Sequence, residues 1–417
     1  MATTTSESKS WLSRFNATPL YVRILSAMML RLVTGLLLGE HASFLEVPSR
    51  VILQLLAALA PPLILIAVVH VLMTTQISGR TAGRLAGLLL LNTTVAIAIG
   101  LTVANVMKPG TWSKLERPEA PASKESTTVS PVDLLIQNVP KSILGPLSDK
   151  QNIIGVIFIA VAFGIALRGV KSKPVNNVQD FVEIGYQVVL TMLHWIIQVV
   201  PIGVFAIVAK VVGTEGFSPF KAMGAFVLAV LIALSLQTGW YLLRIRLFSW
   251  ARPMDVLRGM RDALAMAFST DSSTATMPVT YECLTQKVGI REQSASMGAL
   301  VGANFNNDGT ALYEAMSALF VAQLLGQHLT ITQQLIVVVT SIIASVGAAG
   351  IPEAGLVTMT LVFTAVGLPV EYIALLLTVD WFLDRCRTTI NVLGDVNVSC
   401  LLDGKIKPVV IGVSATS

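Results

Sequence analysis

The sequence predicts an all-α integral membrane protein, and three observations support this prediction. Of 417 residues, 54% are hydrophobic and only 13% are charged, with a mean hydropathy of +0.73, whereas soluble domains carry roughly 25% charged residues. The apolar segments are long enough for membrane helices and too long for barrel strands. Two later apolar segments are each interrupted by small polar residues and a proline, which is typical of helices broken inside a membrane.

The composition argues against a nucleic-acid-binding or disulfide-stabilised protein. The net charge is +5, but the basic residues lie in short loops between apolar segments, so no nucleic-acid partner is predicted. Cys283, Cys386 and Cys400 form neither a disulfide framework nor a metal-binding spacing, and no cofactor is predicted. Cys386 lies between two arginines and is a candidate for lining a polar site.

Six apolar segments are predicted to span the membrane in the first part of the chain. They lie at about residues 21–39, 48–74, 82–106, 152–168, 181–212 and 221–248. Basic residues concentrate before the first segment and in alternate loops thereafter, and Arg244 is counted with the basic loop after the sixth. Because cytoplasmic loops are enriched in Lys and Arg, the N-terminus is predicted to be cytoplasmic.

These segments divide the chain into regions. The first twenty residues are polar, lack the apolar core of a signal peptide, and are predicted to form a cytoplasmic tail. The 107–150 loop is mixed in charge, rich in Pro and Ser, and predicted to be external. The predicted division is a tail at 1–20, a six-helix region at 21–250, a second region at 251–405 and a cytoplasmic tail at 406–417.

The second region contains the two interrupted segments, 267–278 and 344–355. Neither has enough apolar length on either side of its break to cross a bilayer twice. Each is therefore predicted to be a re-entrant helical hairpin whose tip is covered by protein or by a water-filled cavity. A pair of such segments in corresponding halves of a chain indicates a transporter binding site. Close helix packing through small residues is the alternative, but it explains neither the two prolines nor Asp271.

Between the hairpins, residues 302–314 predict a broken helix, because a run of Asn, Asp and Gly disfavours continuous helix. Unwinding would free backbone carbonyls beside the Asp308 carboxylate, and such an oxygen-rich site suits a hard cation. Glu314 is an isolated carboxyl in an apolar segment and is a candidate proton carrier. A structural glutamate that stays neutral is the alternative.

The last apolar helix contains five charges within residues 379–395. Each charge held at the bilayer centre costs roughly 2.5–3.5 kcal/mol on insertion scales, so the charges are expected to face each other, water or a ligand. The polar residues recur at helical spacing and form one stripe, which consists of Asp380, Asp384, Arg387, Asn391 and Asp395. Asp and Arg on one face can bind a small zwitterion, and Asn and Asp below them can hold a cation. A solvated amphipathic helix is the alternative.

Together these residues resemble the dicarboxylate/amino acid:cation symporter family, which includes the glutamate transporters. The resemblance covers about residues 20–405 and is most specific at 306–310, which matches the family's Asn-Met-Asp-Gly-Thr motif except at its second position. The serine-rich first hairpin, residues 347–352 and residues 384–395 also carry it. The resemblance implies eight transmembrane helices, two re-entrant hairpins, inverted repeats, a homotrimer and an elevator-like motion.

The resemblance also implies roles for individual residues. Arg387 matches the group that binds the substrate side-chain carboxylate, and Asp384 matches the group that receives its ammonium. The full substrate set is Ser272, Ser273, Gly350, Asp384, Arg387, Thr388 and Asn391. The implied cation ligands are Asn306, Asp308, Asn391, Asp395, Asn92 and Thr93. Glu314 matches a proton carrier, and Arg385 matches an arginine that in some members replaces one in the first hairpin.

The chain departs from the family pattern at several positions. Asn307 replaces the motif's Met, Asn304 stands where Thr is usual, and Leu89 and Asn92 replace a Tyr and a Thr. Three of these four positions lie at or beside sodium sites in relatives, so the number of coupled sodium ions is open. Asp271 occupies a hairpin position that is Arg or Ser in relatives. It can pair with Arg385 or compete with substrate for Arg387.

The sequence therefore predicts a secondary-active symporter in the cell membrane, not an enzyme. The predicted partners are aspartate or glutamate, Na⁺ and/or H⁺, and the lipid bilayer. One alternative is a proton-coupled, sodium-independent carrier of dicarboxylates or amino acids, and another is a channel. A membrane aspartyl protease would need a second catalytic motif, because Gly394-Asp395 stands alone.

Overall fold

The computed structural model describes residues 79–112, 176–215, 218–347 and 354–406, with isolated positions at 51, 55, 58, 145, 162 and 166. Within these ranges every regular element is helical. The predicted spans at 21–39, 48–74 and 152–168, most of the 107–150 loop and both tails lie essentially outside the described residues.

The described helices follow each other in the order that the apolar segments predict. They are α1 (Gly79–Met107), α2 (Val178–Glu215), α3 (Ser218–Phe248), α4 (Pro253–Gly259), α5 (Arg261–Thr270), α6 (Ser273–Glu282), α7 (Glu292–Ala295), α8 (Gly302–Phe305), α9 (Asp308–Leu324), α10 (Ile331–Gly347), α11 (Ala354–Ala365) and α12 (Ile373–Asp403). Short 3₁₀ turns lie at Pro109–Trp112 and Val370–Tyr372, and π-helical turns at Cys283–Val288 and Ser296–Val301.

Two helices in the described ranges are long and apolar enough to cross a bilayer. They comprise Gly83–Trp112, which is α1 with its 3₁₀ extension, and Phe220–Phe248 in α3. Both exceed the roughly 20 residues that a membrane crossing requires. The apolar part of α10, Ile331–Ser345, is shorter.

The outer faces of these helices are apolar. At intervals of mostly three or four residues α3 exposes Leu228, Ile232, Leu236, Leu243 and Leu247, and α10 exposes Ile331, Leu335, Val339 and Ile343. A contiguous apolar outer face combined with charges inside is unusual for a protein in water and normal for one in lipid.

Helix α9 lies at the centre of the described bundle. Every residue of α9 except Gln323 is buried, and the helix packs against α1, α10 and α12. A ring cluster joins it to α3, because the Phe226 ring centroid lies 4.5 Å from that of Phe320 and 5.7 Å from that of Tyr313. Gly100 lets α1 approach closely, since a Cβ there would lie 3.1 Å from Leu312 and Met316 atoms. A helix buried on all sides is typical of a bundle core.

The first interrupted segment forms two helices joined by a two-residue link. Asp271, after α5, adopts a left-handed conformation with φ of 57°, and Ser272 is extended and caps α6. The Ser272 hydroxyl accepts a hydrogen bond from the Ala275 backbone N–H at 3.1 Å, a typical N-cap interaction. Helices α5 and α6 then pack against each other.

The second interrupted segment follows the same plan in α10 and α11, which also pack together. Its tip, residues 348–353, lies outside the described residues. The membrane depth of both tips therefore stays a prediction.

The predicted helix break between the two pairs is present and short. Helix α8 ends at Phe305 and α9 begins at Asp308, with Asn306 and Asn307 in non-helical conformations between them. Gly309 and Thr310 are helical, so the unwound part is confined to two residues.

Candidate functional site

Helix α12 carries a buried ionic cluster at its centre. Arg387 is 0% exposed. Its Nη1 lies 3.1 Å from Asp380 Oδ1, and its Nη2 pairs with Asp384 Oδ1. Spacings of seven and three residues place both carboxylates on the arginine's face of the helix. One guanidinium thus faces two carboxyl groups.

The surroundings of Arg387 leave part of its guanidinium available. Arg387 Cζ lies 4.0 Å from the centroid of the Tyr313 ring, a cation–π geometry. Gly355 of α11 lies close by, because a Cβ there would be 3.5 Å from Arg387 Nη2. Arg387 Nε makes no hydrogen bond among the described residues, and Nη1 makes no contact of this kind beyond its ion pair with Asp380. Since guanidinium has five donors, the group retains capacity for a further acceptor.

The first helix pair reaches this cluster through its link. Thr388 donates a hydrogen bond of 3.2 Å to Asp271 Oδ1. Arg385 Nη1 donates to the carbonyls of Phe268 and Ser269 at 2.9 and 2.7 Å, which are among the last carbonyls of α5 and attract a cation. Asp271 makes its hydrogen bond with neither Arg385 nor Arg387, the two arginines considered as its partners. Its partner is Thr388.

The serines predicted to contact substrate lie at the N-terminus of α6. Ser272 and Ser273 are both buried, and the Ser272 hydroxyl is used as the helix cap. Helix N-termini favour anions because their first N–H groups lack intrahelical partners. Gly350, the remaining predicted contact, lies outside the described residues.

Asn391 connects α12 to the break before α9. Its Oδ1 accepts a hydrogen bond of 2.7 Å from the Gly309 N–H, and its backbone carbonyl accepts one of 3.1 Å from Asn306 Nδ2. Its Nδ2 donates to Asn307 Oδ1 and Thr310 Oγ1, both at 3.4 Å. The Asn391 side-chain oxygen is therefore engaged, and only its weakly held amide N–H groups can be redirected to a ligand.

A second set of buried oxygens surrounds the break. Asp395 and Asn306 are buried, and neither Asp395 Oδ1 nor Asn306 Oδ1 makes a hydrogen bond within the described ranges. Gly302 lets the backbone of α8 lie against the Asp395 side chain, because a Cβ at position 302 would touch Asp395 Oδ1. Hard cations are bound by such carboxylate, amide and carbonyl oxygens. In the part of the chain that the structure describes, no three His, Cys, Asp or Glu side chains meet.

Asp308 is fully enclosed by hydrogen-bond donors. Thr93 Oγ1 donates to Asp308 Oδ1 at 2.6 Å, and the Tyr241 hydroxyl donates to Oδ2. Asn92, next to Thr93 on α1, is also buried and accepts a hydrogen bond from Arg244 Nη1. The structure thus places Thr93 against Asp308, with Asn92 beside Thr93 on α1, and adds the side chains of Tyr241 and Arg244 from α3.

Tyr241 and Arg244 are functional candidates that the sequence analysis missed. The assignment of Arg244 to a basic loop is wrong, since it lies inside α3 and is 4% exposed. Gln237, Tyr241 and Arg244 recur at spacings of four and three within an apolar segment. That periodicity was the available signal, because polar residues on one face of a membrane helix face the protein interior.

Glu314 lies apart from these groups on α9. It is fully buried, and Thr358 of α11 donates a hydrogen bond to its Oε1. Its Oε2 has no hydrogen-bond partner in the described structure. Asn307, the departure from the motif, donates to the Ser345 carbonyl at 2.9 Å and so joins the break to the end of α10.

A helical bundle that is apolar outside and carries paired charges beside two broken helices inside is the arrangement of an ion-coupled membrane transporter. The sequence profile of the sodium:dicarboxylate symporter family matches residues 20–405. The chain belongs to that family, as the motifs predicted, and is a membrane transporter and not an enzyme.

Curated relatives include excitatory amino acid transporters of animals. The chain is 31% identical to the excitatory amino acid transporter of Caenorhabditis elegans, over 89% of this chain and 84% of the relative. It is 29% identical to human excitatory amino acid transporter 3, over 89% and 82%. A match of 41% identity to mouse excitatory amino acid transporter 4 covers 58% of this chain and 44% of that relative.

Proposed function

We propose that this protein is a secondary-active symporter that moves aspartate or glutamate across the cell membrane together with Na⁺, H⁺ or both. The observation that carries the proposal is the fully buried Arg387 between Asp380 and Asp384. A buried charge cluster with an excess carboxylate and unused guanidinium donors is expensive to maintain, and it matches a zwitterion with an acidic side chain. The relatives named for excitatory amino acids support the same substrate class.

The substrate would bind by replacing the internal ion pairs of Arg387 with its own charged groups. Its side-chain carboxylate takes the free donors of Arg387, in the planar geometry that favours arginine over lysine. Its ammonium takes Asp384. Its α-carboxylate is received by Thr388, by the Asn391 amide and, at the two helix tips, by Ser272, Ser273 and Gly350.

The coupling cations would bind at the break between α8 and α9. Asp395 and Asn306 supply oxygens without hydrogen-bond partners, with Asn391 and Asp308 beside them. Because Asn391 touches both this break and the substrate face, cation and substrate favour the same arrangement. Such shared stabilisation of one state is what couples two ligands.

Energetics supports the movement of more than one cation per substrate. A thousandfold gradient of substrate costs roughly 4.1 kcal/mol. One net positive charge falling through 100 mV supplies roughly 2.3 kcal/mol. A glutamate anion with one cation is electroneutral, so concentrative uptake needs two or more cations or a steep ion gradient. Glu314 is the group proposed to carry a proton, and a carrier that uses protons alone is the second candidate.

Alternating access is proposed to follow the family's elevator scheme in a homotrimer with cytoplasmic termini. In that scheme the α10–α11 pair acts as the gate and closes only over a complete set of ligands. Asp271 and Arg385 tie the α5–α6 pair to α12 and would move with it. The six-helix region at 21–250 would supply the scaffold, and residues 251–405 the main part of the moving unit.

Purified protein in proteoliposomes tests the proposal directly. Labelled aspartate should accumulate when an inward Na⁺ or proton gradient is imposed, and it should exchange stereoselectively with internal aspartate. A channel would instead give flux without saturation or exchange. Absence of aspartate uptake under both gradients would refute the proposed function.

A further inference from the structure

Arg244 is a buried charge that takes no part in the proposed substrate site. It lies four residues before the end of the apolar helix α3 at Phe248, and a buried arginine in a membrane helix is costly even away from the bilayer centre, where the cost is roughly 2.5–3.5 kcal/mol. It is 4% exposed and donates a hydrogen bond to Asn92 Oδ1. A charge kept in such a position requires compensation by an opposite charge.

The compensating carboxylate is Asp308. Arg244 is linked to it through side chains of α1 and α3 and not by a direct salt bridge in the described structure. Tyr241, three residues before Arg244, donates to Asp308, while Thr93, next to Asn92, donates to its other oxygen.

The carboxylate and amide oxygens of Asp308 and Asn92 are therefore already engaged by donors, and Thr93 is itself one of these donors. Asp308 Oδ1 is engaged by Thr93, Asp308 Oδ2 by Tyr241 and Asn92 Oδ1 by Arg244. Asp395 Oδ1 and Asn306 Oδ1, in contrast, have no hydrogen-bond partner in the described structure. A cation at Asn92 would have to displace the guanidinium and would meet its charge.

We propose that Arg244 is a resident counter-cation for Asp308. It takes the place of an exchangeable cation at Asn92, Thr93 and Asp308, so that the carrier moves one cation fewer per substrate. This inference rests on the proposed symport function. It removes Asn92 and Thr93 from the predicted set of cation ligands and leaves the oxygens around Asp395 for coupling.

A resident charge has a measurable consequence, because it returns to its starting place in every cycle and adds no net charge to transport. An exchangeable cation does add one. At 100 mV one charge changes the limiting accumulation about 50-fold. Arg244 therefore lowers the voltage sensitivity of uptake relative to a carrier with an open site at this position.

The experiment compares wild-type protein with Arg244→Met and Arg244→Gln in proteoliposomes. With fixed substrate and ion gradients, the membrane potential at which net aspartate flux reverses gives the charge moved per substrate. Both neutral variants are expected to move one more positive charge per substrate, whether Na⁺ or H⁺ enters, and ²²Na⁺ uptake identifies the ion. Arg244→Lys keeps the charge and is expected to keep the wild-type ratio.

The Arg244→Met/Asp308→Asn double variant completes a double-mutant cycle for these two residues. With both charges removed, the ratio is expected to return to the wild-type value. An unchanged ratio in a neutral single variant that transports would overturn the proposal. If neither neutral variant folds, stability decides, since the double variant should regain expression and melting temperature, and failure to regain them overturns the pairing. A wild-type protein that takes up no aspartate would refute the symport function itself, which is a different outcome.

Discussion

Two buried arginine–aspartate clusters lie in this molecule, and they differ in what they leave unused. At Arg387 one guanidinium faces two carboxyl groups through Nη1 and Nη2, and its Nε makes no hydrogen bond in the described structure. At Arg244 the charges balance, and both oxygens of Asp308 are engaged. Both clusters are buried, and each contains an arginine and at least one aspartate. The difference shows that unequal charge and free donors, and not burial alone, indicate a site for a ligand.

The largest effect is expected at the unequal cluster. Arg387→Cys should weaken aspartate binding by about 30-fold or more, because truncating a buried charge pair typically costs about 2–5 kcal/mol. Calorimetry with and without Na⁺ measures this loss. Arg258→Cys, at a side chain that is 80% exposed, is the matched control and should bind as the wild type does. Unchanged affinity in Arg387→Cys would remove Arg387 from its proposed role.

Asp384 provides a test of which group of the substrate each residue of this cluster binds. Asp384→Asn should weaken aspartate binding by about 10- to 100-fold, since a hydrogen bond to a charged group is worth about 1.5–3 kcal/mol. Succinate, which has no ammonium, should be affected much less. Competition against labelled aspartate measures both ligands. Equal losses for aspartate and succinate would mean that Asp384 positions Arg387 and does not bind the ammonium.

Glu314 is expected to have an intermediate effect that is specific to protons. If it carries one proton per cycle, an inward gradient of one pH unit raises wild-type aspartate accumulation by about tenfold. In Glu314→Gln this dependence should vanish while the response to Na⁺ remains. Thr358→Val, which removes the donor to Glu314 Oε1, tests whether that hydrogen bond controls the protonation. A pH response retained in Glu314→Gln would assign the proton to another group.

The smallest effect is expected at an exposed pair. Lys287 Nζ lies 2.6 Å from Asp262 Oδ2, and both side chains are close to half exposed. Lys287→Met should leave the melting temperature in detergent nearly unchanged, because water screens such pairs. Arg244→Met, measured in the same way, should show a far larger drop. Similar shifts in the two variants would contradict the contrast between buried and exposed charges.

The sequence analysis succeeded where the information is local. The helix break was predicted from the Asn-Asn-Asp-Gly run, because those residue types disfavour helix wherever they occur. The polar stripe on α12 was predicted from three- and four-residue spacing, and the structure places its residues on one buried face. The functional roles of these residues remain predictions.

Its errors and open alternatives concerned partners distant in the chain. Arg244 was counted as a loop residue because its charge was considered without its position on the helical face that it shares with Gln237 and Tyr241. Asn92 was offered to a cation, although a residue 152 positions later donates to it. For Asp271 the sequence left two arginines open as partners, Arg385 and Arg387, and the structure adds Thr388 as its hydrogen-bond partner.

By itself the sequence determined that this chain is helical, that it belongs in a membrane, and that the charges of α12 must be buried, since periodicity and insertion free energy act within one helix. Only the tertiary structure decided which buried donor meets which acceptor. That choice depends on how α1, α3, α9 and α12 pack, because helix packing sets distances between side chains that lie tens to hundreds of residues apart. It separates an Asp308 carboxylate whose two oxygens are both engaged from a cluster at Arg387 that retains a donor for a ligand.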